Sequence, residues 1–197
     1  MMSNERVFIA GRTGSGKTYL AKHLTKKWPN LIAYDEKYTL EIPRAKILTS
    51  IDELKKGGAG RFVFRPKDSD IKTAREREKL LDEFFRIIYL SQNRIVWVDE
   101  IHAVAENAVK IPHYLKAIIT RGREKNIGMI ALTQRPAFIP GFFMSEAEHY
   151  FIFKLQLPQD RDRVQEYIGE VDFNDLGPHE FFYYNVLNSD QPAKMKI

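Results

Sequence analysis

The octapeptide Gly11-Arg12-Thr13-Gly14-Ser15-Gly16-Lys17-Thr18 constrains the fold more than any other stretch. It stands directly between the apolar run Val7-Phe8-Ile9-Ala10 and the segment Tyr19-Leu20-Ala21-Lys22-His23-Leu24. That order reads as strand, loop, helix. The spacing G-x-x-x-x-G-K-T is a phosphate-binding P-loop. Its glycines allow backbone conformations in which successive N–H groups point into one concavity, and the positive end of the following helix faces the same point. Lys17 sets an ammonium against the β- and γ-phosphates of a nucleotide, and the Thr18 hydroxyl can complete a Mg²⁺ shell. Residues Gly11, Arg12, Thr13, Gly14, Ser15, Gly16, Lys17 and Thr18 are therefore the candidate nucleotide-binding set.

A second motif lies about eighty residues downstream, where Arg94-Ile95-Val96-Trp97-Val98 ends in Asp99-Glu100. A buried strand closed by Asp places a carboxylate beside the P-loop, where Asp99 can hold Mg²⁺ together with Thr18. Glu100 can polarise the water that attacks the γ-phosphate. A third strand, Ile127 to Leu132, closes in Thr133-Gln134-Arg135-Pro136. In a parallel sheet its end shares an edge with Gly14 and Asp99. Gln134, an uncharged donor and acceptor, can there read whether a γ-phosphate is present, or else simply end the strand before Pro136.

The remaining chain fits a single α/β domain spanning 1–197, with core motifs over 6–136, a C-terminal extension of the sheet over 148–187 and a polar, mobile tail over 188–197. Leu31 to Asp35 and Arg61 to Arg65 read as strands, and 37 to 50 shows little pattern. Asp35 and Glu36 fall at a strand's carboxyl end, where they either touch ligand or are solvated. Ile51 to Lys56 reads as a short helix ended by Gly57-Gly58-Ala59-Gly60, a flexible basic turn beside Lys55, Lys56 and Arg61 that can meet nucleic-acid phosphates or only solvent. Asp70 to about Leu90 has helical spacing, Pro112 opens a helix that runs into Thr120-Arg121-Gly122-Arg123, and Tyr150 to Leu155, Asp160 to Ile168 and Phe181 to Val186 read as strand, helix and strand.

With 31 Lys+Arg against 26 Asp+Glu, a net charge of +5 and a pI near 9.3, the balance suits an anionic partner and equally an evenly solvated basic surface. The absence of cysteine excludes disulfides, thiolate metal sites and a cysteine nucleophile. No apolar run reaches a membrane span and the first strand starts within a few residues, so the expectation is a cytoplasmic protein with neither anchor nor signal peptide.

The three motifs in this order, with Arg121-Gly122-Arg123 ahead of the Thr-Gln strand, resemble the HerA/FtsK superfamily of P-loop DNA-translocating ATPases. The small size and absence of added domains look most like the viral genome-packaging ATPases. The resemblance implies a RecA-like (ASCE) P-loop NTPase fold: a mostly parallel central sheet flanked by helices, with extra C-terminal strands. It also implies ATP hydrolysis with Mg²⁺, a homo-oligomeric ring of six, and threading of double-stranded DNA into a capsid in the host cytoplasm, with capsid or membrane proteins of the virion as further partners. In such a ring Arg121 or Arg123 is the candidate arginine finger reaching a neighbour's nucleotide, Arg123 being preferred; a surface salt bridge is the alternative. Two other functions fit the same motifs: a small-molecule P-loop kinase gripping its acceptor with Arg121, Arg123 and Asp35, and a nucleotide-gated assembly module with little turnover.

Overall fold

A computed structural model describes residues 4–105 and 110–197. Along the chain run β1 (Arg6–Ala10), α1 (Lys17–Thr25), β2 (Leu31–Tyr34), β3 (Lys46–Leu48), α2 (Ile51–Lys56), β4 (Arg61–Phe64), α3 (Ala74–Ser91), β5 (Arg94–Val98), α4 (His113–Arg121), β6 (Ile127–Thr133), α5 (Phe142–Ser145), β7 (His149–Phe153), α6 (Pro158–Ile168), β8 (Glu180–Asn185) and β9 (Ala193–Lys196). All nine strands form one sheet in the order β3-β4-β2-β5-β6-β1-β7-β8-β9. The pairings from β3 through β7 are parallel, and β8 and β9 add antiparallel. The expected α/β architecture with C-terminal strands is what forms.

The continuous apolar runs are explained by burial on both faces. Alternate residues of the central strands feed two cores. Phe8, Ile32, Tyr34, Val96 and Val98 pack with Phe84, Ile88, Leu115 and Ile118 from α3 and α4 on one face. Val7, Ile9, Leu31, Ile95 and Trp97 pack with Leu20 and Ala21 of α1 on the other. Because β1, β5 and β6 are parallel, their carboxyl ends, and with them the P-loop, Asp99-Glu100 and Gln134, fall on one sheet edge. β6 lies between β1 and β5.

Three expectations are corrected. The long helix starts at Ala74 instead of Asp70, because Thr73 accepts from the Glu76 backbone N–H while the Glu76 carboxylate accepts from Thr73, a capping box that fixes the first turn. Within the unpatterned stretch 37–50 the chain forms β3, a three-residue edge strand. The polar tail is not loose: 193–196 forms β9, pairing Phe181 with Met195, and Lys194 meets Glu180 at 3.1 Å. Lysines suit an outermost strand, whose free edge they protect from further pairing.

Candidate active site

The P-loop leaves β1 through Gly11, whose N–H donates to the Thr133 carbonyl of β6 at 3.2 Å, and enters α1 through Gly16 at φ 109°. Both positions require glycine. A Cβ at Gly11 would lie 2.6 Å from the Phe153 Cβ, and one at Gly16 would lie 2.6 Å from the Ile197 side chain in a left-handed backbone that disfavours any other residue. Lys17 folds back over the loop, its ammonium donating to the Gly11 carbonyl at 2.7 Å and the Arg12 carbonyl at 3.0 Å. Burial pushes its pKa down to about 8, against the pull of Glu100 and Asp99. The Ser15 hydroxyl is buried with no hydrogen-bond partner among the described residues. A cramped ammonium and an unsatisfied hydroxyl in one cradle are the features an anion would relieve.

The acids stand where the sequence placed them. The Thr18 hydroxyl donates to Asp99 Oδ1 at 3.3 Å, joining the two candidate Mg²⁺ ligands, and burial raises the Asp99 pKa. One hydroxyl and one carboxylate are hard oxygen donors of the kind Mg²⁺ takes, so Thr18 and Asp99 would suit that ion. No cluster of three or more His, Cys, Asp or Glu competes as a metal site among the described residues. Glu100 meets the Lys37 ammonium at 3.8 Å. Both acids line a cavity of about 530 Å³ together with Tyr34, Glu36 and Arg77. From β6, the Gln134 carbonyl oxygen accepts the Thr13 hydroxyl at 2.8 Å, so that the side chain is tied to the P-loop itself.

Two acids singled out in sequence have structural partners. Asp35 is buried at the wall of the same cavity, its carboxylate already accepting from Arg65 Nε at 2.7 Å and the Leu40 N–H at 2.8 Å. Glu36 pairs with Arg77. The arginines lie elsewhere: the Arg121-Gly122-Arg123 segment precedes β6, at the amino edge of the sheet, opposite the P-loop. Arg123 pairs with Glu148, whereas the exposed Arg121 side chain makes no ion pair or hydrogen bond among the described residues. A kinase reading loses its acceptor grip, since Asp35 is occupied and both arginines face away from the chain's own P-loop.

Contacts from the last strands were not foreseen. Phe153 packs on Gly11 and Gly16, the His179 ring nitrogen Nδ1 lies 3.3 Å from the Ser15 carbonyl, and the Ile197 N–H donates to His179 at 3.3 Å. Beyond β6, buried Asp160 of α6 holds Arg135 Nε at 2.9 Å and the Ala137 N–H at 3.0 Å, fixing the chain that follows Gln134. No local pattern marks these residues. A buried Asp in a first helical turn after Pro158 was the one available hint.

The sequence profile of the ATPase family associated with various cellular activities (AAA) matches residues 7–155, which includes the P-loop, Asp99, Glu100 and Gln134. The chain belongs to this ATPase family. The ATPase is 30% identical over 171 residues, covering 83% of its length and 70% of the relative's, to the DNA packaging ATPase P9 of Enterobacteria phage PRD1. Its fold superposes on the genome packaging NTPase B204 of Sulfolobus turreted icosahedral virus 2 in complex with AMPPCP at a TM-score of 0.78, with 20% identity, over 100% of this chain and 99% of that one. The N-terminal domain of the zonular occludens toxin from Neisseria meningitidis matches at 0.58 with 16% identity, over 100% and 94% of the two chains. Among the described residues, no helix of the ATPase is long and apolar enough to cross a membrane.

Proposed function

We propose that the ATPase is a viral genome-packaging motor, which hydrolyses ATP as a ring of six copies and drives double-stranded DNA into a capsid during assembly in the host cytoplasm. The observation that carries this reading is the 30% identity to the phage PRD1 packaging ATPase across most of both chains. The ATPase-family match over residues 7–155, with the P-loop, Asp99, Glu100 and Gln134 inside it, supports it.

The site residues divide the chemistry. The backbone N–H groups of 11–18 cradle the β- and γ-phosphates, and Lys17 leaves its two carbonyl partners to meet them. Thr18 and Asp99 would hold Mg²⁺, which supplies positive charge between the phosphate oxygens. Glu100 takes the proton of the attacking water, which requires that it part from Lys37. Gln134, held by Thr13, orients that water or the γ-phosphate. Because the arginines sit on the far edge of the sheet, the positive charge they supply reaches a nucleotide only across a subunit interface. Arg121, which makes no ion pair or hydrogen bond among the described residues where Arg123 is bound to Glu148, becomes the better finger.

The ATPase rate with and without double-stranded DNA tests the proposal. Stimulation that is independent of sequence and lost at raised salt is expected. Unstimulated near-zero turnover would replace the motor with a nucleotide-gated assembly module, and phosphorylation of an added acceptor would replace it with a kinase.

A further inference from the structure

The basic glycine turn found in the sequence is not isolated. Gly57 to Gly60 is held in place, with the Gly60 N–H donating to Asn30 Oδ1 and the Arg94 guanidinium to the Gly58 carbonyl, both at 3.1 Å. It lies at the amino edge of the sheet, before β4. The C-terminal end of α1 arrives at the same edge, as does the turn that leads into β3. Two adjoining clefts of about 550 and 470 Å³ result, which share Arg44 and Arg61.

The cations of these clefts have few acidic partners. Lys26, Lys27, Arg44, Lys46 and Lys56 make no ion pair among the described residues, and the first of the two clefts is lined by no carboxylate. Glu53 in the second is occupied by the Thr49 N–H at 2.7 Å and its hydroxyl. Lys55 differs, since it pairs with Glu83 at 3.1 Å and lines neither cleft. Among the described residues Arg61 is held by the carbonyls of Pro43, Thr25 and Trp28 and by no carboxylate, and burial together with the charge of Arg44 pushes its pKa down. Arg44 itself adopts φ 63°, a left-handed conformation that glycine or asparagine would take at lower cost. Without these six side chains the protein's cations would number fewer than its acids.

We infer that this strip, from the end of α1 across Arg44 and Arg61 to the turn before β4, is where the protein contacts the phosphate backbone of double-stranded DNA. The inference rests on the packaging reading above and gives it a surface. A compact anion would need its donors to converge, as they do in the P-loop. Here single charges on long side chains are spread over two clefts, which suits a row of phosphates and carries no sequence readout. The strip and the nucleotide site lie at opposite ends of α1, about 13 Å apart along a nine-residue helix.

The test measures equilibrium binding of a random-sequence duplex across a salt series. It compares the parent protein with Lys26→Gln/Arg44→Gln, with Lys46→Gln/Lys56→Gln, and with a control of equal charge, Lys72→Gln/Lys79→Gln on α3 and its approach. Thermal melting and sedimentation verify that each is folded and report its assembly state. Each strip pair should lower the slope of log K against log salt by about 1.8, and affinity at about 0.1 M salt should fall roughly tenfold per lost contact, with the control close to the parent. Equal losses in strip and control variants, or none in the strip variants while the parent binds DNA, would overturn the strip and leave the motor reading standing. Altered assembly with unchanged DNA binding would assign the strip to another copy of this chain and also overturn it. A parent protein that binds no duplex DNA at all would remove the packaging reading, and the strip with it.

Discussion

Raising the pH should weaken nucleotide binding while leaving the fold firmer, and Lys17 is the reason. Lys17 is only 8% exposed and its ammonium faces two carbonyls, and burial brings its pKa from the usual 10.5 to about 8. A bound phosphate chain gives the charged form a strong partner and restores the proton. Binding therefore takes up close to one proton wherever the free protein has lost it. From about pH 7 to about pH 9 the protonated fraction of the free protein drops about tenfold, so affinity should fall about tenfold, or ~1.4 kcal/mol, with a limiting slope of one decade per pH unit. Phosphate oxygens, with a second pKa of about 6, are already ionised over this range.

Stability moves the other way. The charged lysine opposes folding below about pH 8, and between that value and 10.5 the unfolded chain keeps a proton that the folded one has released, so stability from this group rises with pH. Titration calorimetry in two buffers of different ionisation enthalpy reads the proton uptake, and denaturant midpoints on the free protein read the stability. A nucleotide affinity that stays flat from about pH 7 to about pH 9.5 in a folded protein, with no proton taken up, would refute the reasoning.

Lys17→Ala should abolish tight ATP binding or hydrolysis in a protein that still folds, measured by nucleotide titration and circular dichroism. Glu100→Gln should retain Mg·ATP binding and hydrolyse it at least about a hundredfold more slowly; a variant that loses binding but keeps its saturating rate would make Glu100 a binding residue. Asp35→Ala should cost roughly 3 kcal/mol in chemical denaturation, since it takes the carboxylate from Arg65, left with the Leu40 carbonyl, and from the Leu40 N–H, and a loss below ~1 kcal/mol would mean that the loop re-forms around water. Mixing Lys17→Ala with Arg121→Ala protein should restore part of the ATPase activity neither has alone, because the first lends its arginine to the second's P-loop. Demonstrated mixed rings with no recovery would exclude a finger acting across the interface.

The candidate nucleotide site was legible because each of its parts is local: eight consecutive residues for the P-loop, and an apolar run closed by a polar residue for Asp99, Glu100 and Gln134. The parallel arrangement followed from strands long enough and apolar enough to be recognised. What escaped was decided by partners distant in sequence. β3 and β9 are short and lysine-bearing, so neither has a burial pattern to read. The Asp35–Arg65 and Arg123–Glu148 pairs depend on which strand lies beside which, and that order is set by the sheet as a whole. Arg123 lies nearer to β6 than Arg121, but at the amino end of that strand, where Glu148 holds it.

The packing of Ile197 against Gly16 has a practical side. Ile197 follows β9 and packs beside Gly16 of the P-loop, so a group joined after it, such as a purification tag, leaves the chain next to the candidate nucleotide site. Such a fusion would read as a poor nucleotide binder whatever the native protein does, with a crowded doorway mistaken for a weak active site. A tag placed ahead of β1 begins at the opposite edge of the sheet, and a cleavable one there keeps the nucleotide measurements clean.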